Sequence, residues 1–248
     1  MLSGKKTLPR ESTHAKRTRA ARVLRILKKT YPRARIALSY RTPMQMLAAV
    51  MLSAQSTDKK VNEVTATLFK KYKTAHDFAS ANPRVFEKEI RQTGFYRAKA
   101  KHIIAAARMI QKDFGGRLPR TMKETTRLPG VARKTANIAL GNAYGVVEGI
   151  AVDTHVQRIA GRLGLTRYAD RQKVEKKKTD PNKIEEDLMQ LFPKKEWLQL
   201  TYFIIEHGRS VCSAKKPFCN ICPLAKLCPS AFMFGHFNNK PQNKTSNI

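Results

Sequence analysis

Leu128-Pro129-Gly130-Val131-Ala132-Arg133-Lys134-Thr135-Ala136-Asn137 is the stretch that decides the fold. Upstream, Thr121-Met122-Lys123-Glu124 has the form of a capping box, in which a threonine and a glutamate three residues apart satisfy the open amides of a helix start. It predicts a short helix running to about Leu128, where Pro129-Gly130 ends it. Downstream, Ala136, Ala139, Leu140 and Ala143 repeat at i, i+3, i+4, i+7. That spacing predicts a second helix, packed by a stripe of small residues and stopped at Gly145. The pattern is helix, hairpin, helix.

Lys134 stands two residues before Ala136, roughly 200° around the helix, so its amine points away from the packed stripe. In a first turn the positive end of the helix dipole, together with any loss of solvent, favours the neutral amine, which is a nucleophile. The helix from residue 134 to 143 advances about 15 Å. Nine extended residues reach about 30 Å, so residues 144–152 are long enough to return Asp153 to the side of Lys134. Taken singly, Lys134 reads as a solvated surface charge and Asp153 as a helix N-cap. The joint pattern, with the cysteine spacing below, favours chemistry.

Composition bounds the partner. The 248 residues include 49 Lys+Arg against 18 Asp+Glu, a formal charge of +31, which implies an extended polyanion, with nucleic acid leading. Charge alone names no reaction. No apolar run approaches the roughly 20 residues of a membrane span and the first residues lack the apolar core of a secretory signal, so the expectation is a soluble, intracellular protein. Residues 1–35 hold 12 Lys/Arg and one acid, Glu11, which predicts a mobile basic arm. Val23, Leu24, Ile26 and Leu27 predict that a helix begins within it, which ranks a mitochondrial address second. The four cysteines, Cys212, Cys219, Cys222 and Cys228, follow the spacing Cys-x6-Cys-x2-Cys-x5-Cys. In a reducing compartment they predict a metal site rather than disulfides, zinc or [4Fe-4S] on ligand chemistry alone.

The remaining segments read helical, with no β pattern of any length. Thr42-Pro43 opens a helix buried through Leu47, Val50, Met51 and Ala54, and Thr57 or Asp58 opens the next, with Val61, Val64, Thr65 and Leu68 on one face. Asn82-Pro83 caps a short helix. Gly94-Phe95-Tyr96 leads into a long one carrying Ile103, Ala107, Ile110 and Phe114. Val156, Ile159, Ala160 and Leu163, then Ile184, Leu188 and Leu191, then Trp197, Leu200, Phe203, Ile204 and His207 form three more stripes, with a Lys/Asp-rich linker at 173–182. His207 reads as a packed or surface histidine rather than a ligand.

LPGVARKTAN followed by Gly149-Ile150-Ala151-Val152-Asp153-Thr154-His155 resembles the endonuclease III family of the helix-hairpin-helix DNA glycosylases, over about residues 22–230. The resemblance implies an all-α, two-domain glycosylase fold with an iron–sulfur cluster loop. Lys134 would attack the sugar C1′ of an oxidised pyrimidine nucleotide, assisted by Asp153, and the strand would be cleaved by β-elimination. The cysteine spacing matches the family's [4Fe-4S] loop. Ser53-Ala54-Gln55-Ser56-Thr57-Asp58 is similar to the segment whose glutamine fills the gap left by an extruded nucleotide, here Gln55. Phe95 and Tyr96, read as exposed beside Arg97, Lys99 and Lys101, match a loop that inserts into duplex DNA, and Tyr96 is the favoured member. Gly130, Ala132 and Arg133 form the backbone-binding hairpin; Ala132 stands where the family's second glycine is usual, a substitution compatible with a residue already helical. Lys215 and Lys216, between the first two cysteines, would form a fixed phosphate-binding pair.

The expected domains are a basic arm and N-terminal helix (1–35) joining a cluster domain (147–230), a six-helix barrel domain (36–146) with the lesion in the cleft between the two, and a disordered tail (231–248). The expected partner is damaged double-stranded DNA, bound by a monomer with no membrane association and no dissociable cofactor. Two rivals are an adenine-removing mismatch glycosylase, which uses no lysine nucleophile, and a non-catalytic DNA-binding module, which has no use for the pairing of Lys134 with Asp153.

Overall fold

The computed structural model of the chain describes residues 11–169 and 179–237, and of His236 only the backbone. The first ten residues of the expected arm, residues 173–178 of the expected linker and residues 238–248 of the expected tail lie outside the described residues. Among the described residues there are α-helices and 3-10 turns and no strand. None of these helices is long and apolar enough to cross a membrane.

The described residues form two compact units, one comprising residues 35–153 with 197–202, the other residues 11–34, 154–169, 179–196 and 203–237. The division falls after Asp153, seven residues beyond the expected boundary, so the buried run Ile150-Ala151-Val152 lies in the first unit.

The first unit is built on α2 (Pro43–Leu52), which carries no charged side chain and is buried at every position from Met44 to Leu52. Thr42 caps it by accepting from the Gln45 amide at 3.2 Å, with Pro43 in the first turn. Gln45 is buried at no cost in lost hydrogen bonds: its amide donates to Phe69 O and Tyr72 O at 3.1 and 3.0 Å, and its oxygen accepts from Arg41 N at 2.9 Å. Against α2 pack α3 (Asp58–Lys71), α6 (Tyr96–Asp113) and α8 (Arg133–Tyr144), with α5 (Pro83–Glu89) on α6 and α7 (Met122–Thr125) on α8. The sequence reading passes over one segment, α4 (Ala75–Ala79), which brings the α-helical segments within residues 35–153 to seven. Its signal was present: Thr74 and Asp77 close a full capping box. The Asp77 carboxylate accepts from the Lys73 and Thr74 amides at 2.8 and 2.9 Å, and these bonds hold its pKa below the usual carboxylate value. Phe78 of α4 packs between Tyr72 and Phe86, with ring centroids 5.3 and 6.0 Å away.

In the second unit, the expected loose arm is mostly helix. α1 (Thr13–Thr30), capped by Ser12, buries Ala20, Val23, Leu24 and Leu27. Its Arg19 is held internally by Glu11 at 2.7 Å and by Leu163 O at 2.6 Å, so one arm cation serves the fold. α9 (Thr154–Arg162), α10 (Pro181–Leu191) and the later part of α11 (Trp197–Ser210) complete the helices of this unit. Residues 231–237, expected in the disordered tail, are folded: Phe234 is buried beneath the Arg162 guanidinium, 4.5 Å from its ring centroid, and the rings of Phe232 and Phe237 meet edge to face.

Phe78 is fully buried, so Phe78→Ala is expected to destabilise the protein by about 3–5 kcal/mol. The check is the midpoint of urea unfolding, with the denaturant slope unchanged.

Candidate active site and nucleic-acid interface

The hairpin forms where the sequence indicates. Thr121 caps α7 by accepting from the Glu124 amide at 3.2 Å, and Glu124 answers with a bond to the Thr121 hydroxyl at 2.7 Å rather than to its backbone. Thr125 donates to Thr121 O at 2.7 Å, and Leu128 is buried. The chain then turns at Gly130, whose φ is +76°; a Cβ there would lie 2.7 Å from the Cβ of His102 on α6. Both the backbone sign and the close approach exclude a side chain.

Ala132 is not helical, whereas the sequence reading makes alanine tolerable there for a residue already helical. It is the N-cap of α8, with φ −84° and ψ 166°, extended backbone that any residue adopts, so alanine fits for a different reason. Lys134 follows in the first turn of α8, exposed, while Ala136, Ala139 and Leu140 are buried with no exposure. The predicted opposition of the amine and the packed stripe is therefore observed.

The loop after α8 is tied back to the hairpin through Glu148. The Glu148 carboxylate accepts from the Met122 amide at 3.1 Å, and its carbonyl accepts from the Arg133 guanidinium at 3.5 Å. Ile150, Ala151 and Val152 are then buried, with the Thr201 hydroxyl donating to Ala151 O at 3.4 Å. Asp153, half-buried, comes directly after this anchored run and before α9. Lys134 and Asp153 thus belong to one compact unit, each held by fixed backbone.

Two loops of the same unit carry the other DNA candidates. Gln55 is exposed with φ +55°, between Ser53, whose hydroxyl donates to Val50 O at 2.8 Å, and Thr57, the N-cap of α3. Phe95 is 65 % exposed with φ +47°, after Gly94 at φ +69°. A non-glycine residue in the left-handed region is uncommon and costs energy, and such strain clusters at functional sites. Tyr96, favoured from sequence, is half-buried against the core beneath the Arg97 guanidinium, 5.0 Å from its ring centroid. The helix starts between the two aromatics, turning Tyr96 inward and Phe95 outward, so the exposed one is Phe95.

In the second unit the four cysteines form no disulfide and all line one cavity, together with Arg162, His207 and Phe234 among others. Burial pushes the Cys222 and Cys228 thiols up to about 11, helped by the charge of neighbouring cysteines, so a cation is needed to hold them as thiolates. Among the described residues no group of three or more His, Cys, Asp or Glu already stands at metal-holding geometry. The shared cavity and the chemistry of the four thiols, rather than a preformed cage, are what fit a thiolate-ligated metal group. His207 is packed, as expected. It is 2 % exposed and meets the Tyr31 hydroxyl at 3.0 Å, and burial first, then Arg158, lowers its pKa to about 4, which keeps it neutral at pH 7.

Lys215 and Lys216 are exposed on the loop between the first two cysteines. That loop is already pinned by Arg162, which the sequence reading missed: its guanidinium donates to Ser213 O and Ala214 O at 2.7 Å each and to Cys212 Sγ at 3.1 Å. The Ser213 hydroxyl donates to Lys216 O at 2.6 Å. Its signal in the sequence was only an arginine at the buried end of α9.

The chain thus carries a helix, hairpin, helix segment ahead of the Asp153 loop and four free cysteines lining one cavity. Residues 48–194 match the model of the HhH-GPD superfamily base excision DNA repair proteins, and the chain belongs to that superfamily. It is a base excision repair glycosylase with lyase activity. The chain is 49% identical over 217 residues to endonuclease III of Synechocystis sp., covering 88% of this chain and 94% of that one. It is 41% identical to endonuclease III of Bacillus subtilis over 80% of this chain and 86% of the other. Among solved structures it resembles a trapped endonuclease III–DNA covalent intermediate, with TM-score 0.80, 39% identity and coverage of 88% and 97%.

Gly130→Ala is expected to cost about 1–3 kcal/mol through backbone strain and displacement of His102. Ala132→Gly, at a permissive N-cap, should be neutral or slightly stabilising. Urea unfolding of both variants checks the pair; equal losses would contradict the distinction.

Proposed function

We propose that this protein, as a monomer, removes oxidised pyrimidines from double-stranded DNA and then cuts the strand at the resulting site. The observation that carries the reading is an exposed Lys134 in the first turn of α8, backed by a buried small-residue stripe, in the same unit as the anchored Asp153 loop. In this mechanism the neutral Lys134 amine forms a bond to C1′ while the glycosidic bond breaks and the base leaves with its electron pair. Opening of the sugar gives an imine. Loss of a C2′ proton then expels the 3′ phosphate by β-elimination. The Asp153 carboxylate stabilises the positive charge that develops on the sugar. Lys134 is exposed in the free protein, so a sugar carbon in the DNA backbone can approach its amine without rearrangement of the fold.

Gln55 and Phe95 are the side chains we assign to the duplex, filling the space of the extruded nucleotide and wedging the stack. Gly130, Ala132 and Arg133 would meet the phosphate backbone at the hairpin. Tyr96, half-buried, anchors the start of α6 to the core of its unit. Cys212, Cys219, Cys222 and Cys228 would hold a [4Fe-4S] cluster. Its contribution when bound is structural, bracing a loop whose Lys215 and Lys216 bind phosphate.

The test is single-turnover kinetics on a duplex bearing one oxidised pyrimidine. Lys134→Gln should abolish base release and strand cleavage while DNA affinity is kept, since one charge among 49 contributes little to non-specific binding. Asp153→Asn should bind normally and react about 10²–10³-fold slower. Cleavage at the parent rate by Lys134→Gln would overturn the reading.

Protein purified anaerobically should contain iron and sulfide and absorb broadly near about 400 nm. Zinc in place of iron would contradict the cluster assignment. Replacing Lys215 and Lys216 together should flatten the salt dependence of binding by about two units of slope, whatever the sequence of the duplex.

A further inference from the structure

Lys99, on α6, is the only lysine among the described residues that is buried, at 6 % exposure. Desolvation lowers its pKa below the ordinary lysine value, and a methionine of similar length would fill the space without that penalty. Its ammonium has two partners: Nζ donates to Leu52 O and to Thr93 O, each at 2.7 Å. Charge-assisted bonds of this length are about twice as strong as neutral ones.

The positions of the two carbonyls give the arrangement its meaning. Leu52 ends α2 and stands three residues before Gln55; Thr93 ends a 3-10 turn (Arg91–Thr93) and stands two residues before Phe95. One ammonium therefore joins the roots of both loops, residues 47 and 6 positions away from it. The Lys99 backbone amide also donates to Phe95 O at 3.1 Å, so the Phe95 loop is gripped from both sides by one residue. The two loops so joined hold Gln55 and Phe95, two of the three non-glycine residues at positive φ among the described residues.

We propose that Lys99 is a positioning residue for lesion extrusion, its buried ammonium locking the Gln55 and Phe95 loops together so that both side chains enter the duplex as one unit. The inference rests on the reading of Gln55 and Phe95 as the residues that enter the duplex. A helix-end cap with no further role would also explain two bonds to carbonyls. Only the locking role couples the two loops in the reaction.

The experiment compares parent, Lys99→Met, Gln55→Ala, Phe95→Ala and the Lys99→Met/Gln55→Ala double variant, at a temperature well below every melting midpoint. Single-turnover base release from a lesion duplex is measured beside cleavage of a duplex with a preformed abasic site. Lys99→Met should slow base release about tenfold or more while abasic-site cleavage changes by less than about twofold, and Gln55→Ala should cost markedly less in the Lys99→Met background than in the parent. Equal loss on both substrates, or the same cost of Gln55→Ala in both backgrounds, overturns the proposal. If Lys99→Met does not fold, Lys99→Gln, which keeps donors for a carbonyl but not the charge, carries the same comparison. If Gln55→Ala and Phe95→Ala both leave base release unchanged in the parent, the reading of the two loops fails and the proposal with it. If they slow release and the Lys99 variant does not, the proposal alone fails.

Discussion

The burial of α2 is the constraint on which the first unit depends. A helix of ten residues without a charge has no face to give to water, so its neighbours must enclose it on all sides. α8 can lie close because its buried stripe includes Ala136 and Ala139, small enough for near approach of the two backbones. This contact fixes the axis of α8, and with it the first turn that carries Lys134. The same helix sets the root of the Gln55 loop, since its last residue, Leu52, supplies one carbonyl to Lys99. Through α2, the first turn that carries Lys134 and the loops that carry Gln55 and Phe95 share one base.

A formal charge of +31 opposes compaction, and the protein meets this by using its few acids as structural partners. Asp77 caps α4, Glu148 closes the α7 amide, Glu89 takes Lys71 and the Tyr72 hydroxyl, and Glu196 takes Lys28 at 2.7 Å. Each bond consumes a carboxylate and leaves most of the lysine and arginine surface unbalanced. The resulting field attracts a polyanion over distances of about 8–10 Å at moderate salt, before any specific contact forms.

Much of this was legible in the sequence. Helix stripes, caps and the hairpin follow from local rules, because a capping threonine or a left-handed glycine acts on residues within one turn of itself. Gly130 was readable for that reason. Other features depend on contacts between distant segments. Whether Phe95 or Tyr96 faces solvent is decided by where α6 begins and by the core beneath it, and sequence alone read both as exposed. Ala132 is compatible with the hairpin because it stays extended, which periodicity could not reveal. The burial of Lys99, the grip of Arg162 on the cysteine loop and the division of α11 between the two units all join residues far apart in the chain. The composition of those positions, a lysine among lysines and an arginine among arginines, gave no sign of it.

In the proposed mechanism one amine, set in the first turn of α8, does the chemistry. The most direct measurement is to add borohydride during turnover on a lesion duplex, reduce the imine to a stable bond, and map the modified peptide by mass spectrometry. The account predicts a single protein–DNA adduct on Lys134. An adduct on any other lysine, or efficient strand cleavage with no trapped species, would contradict it.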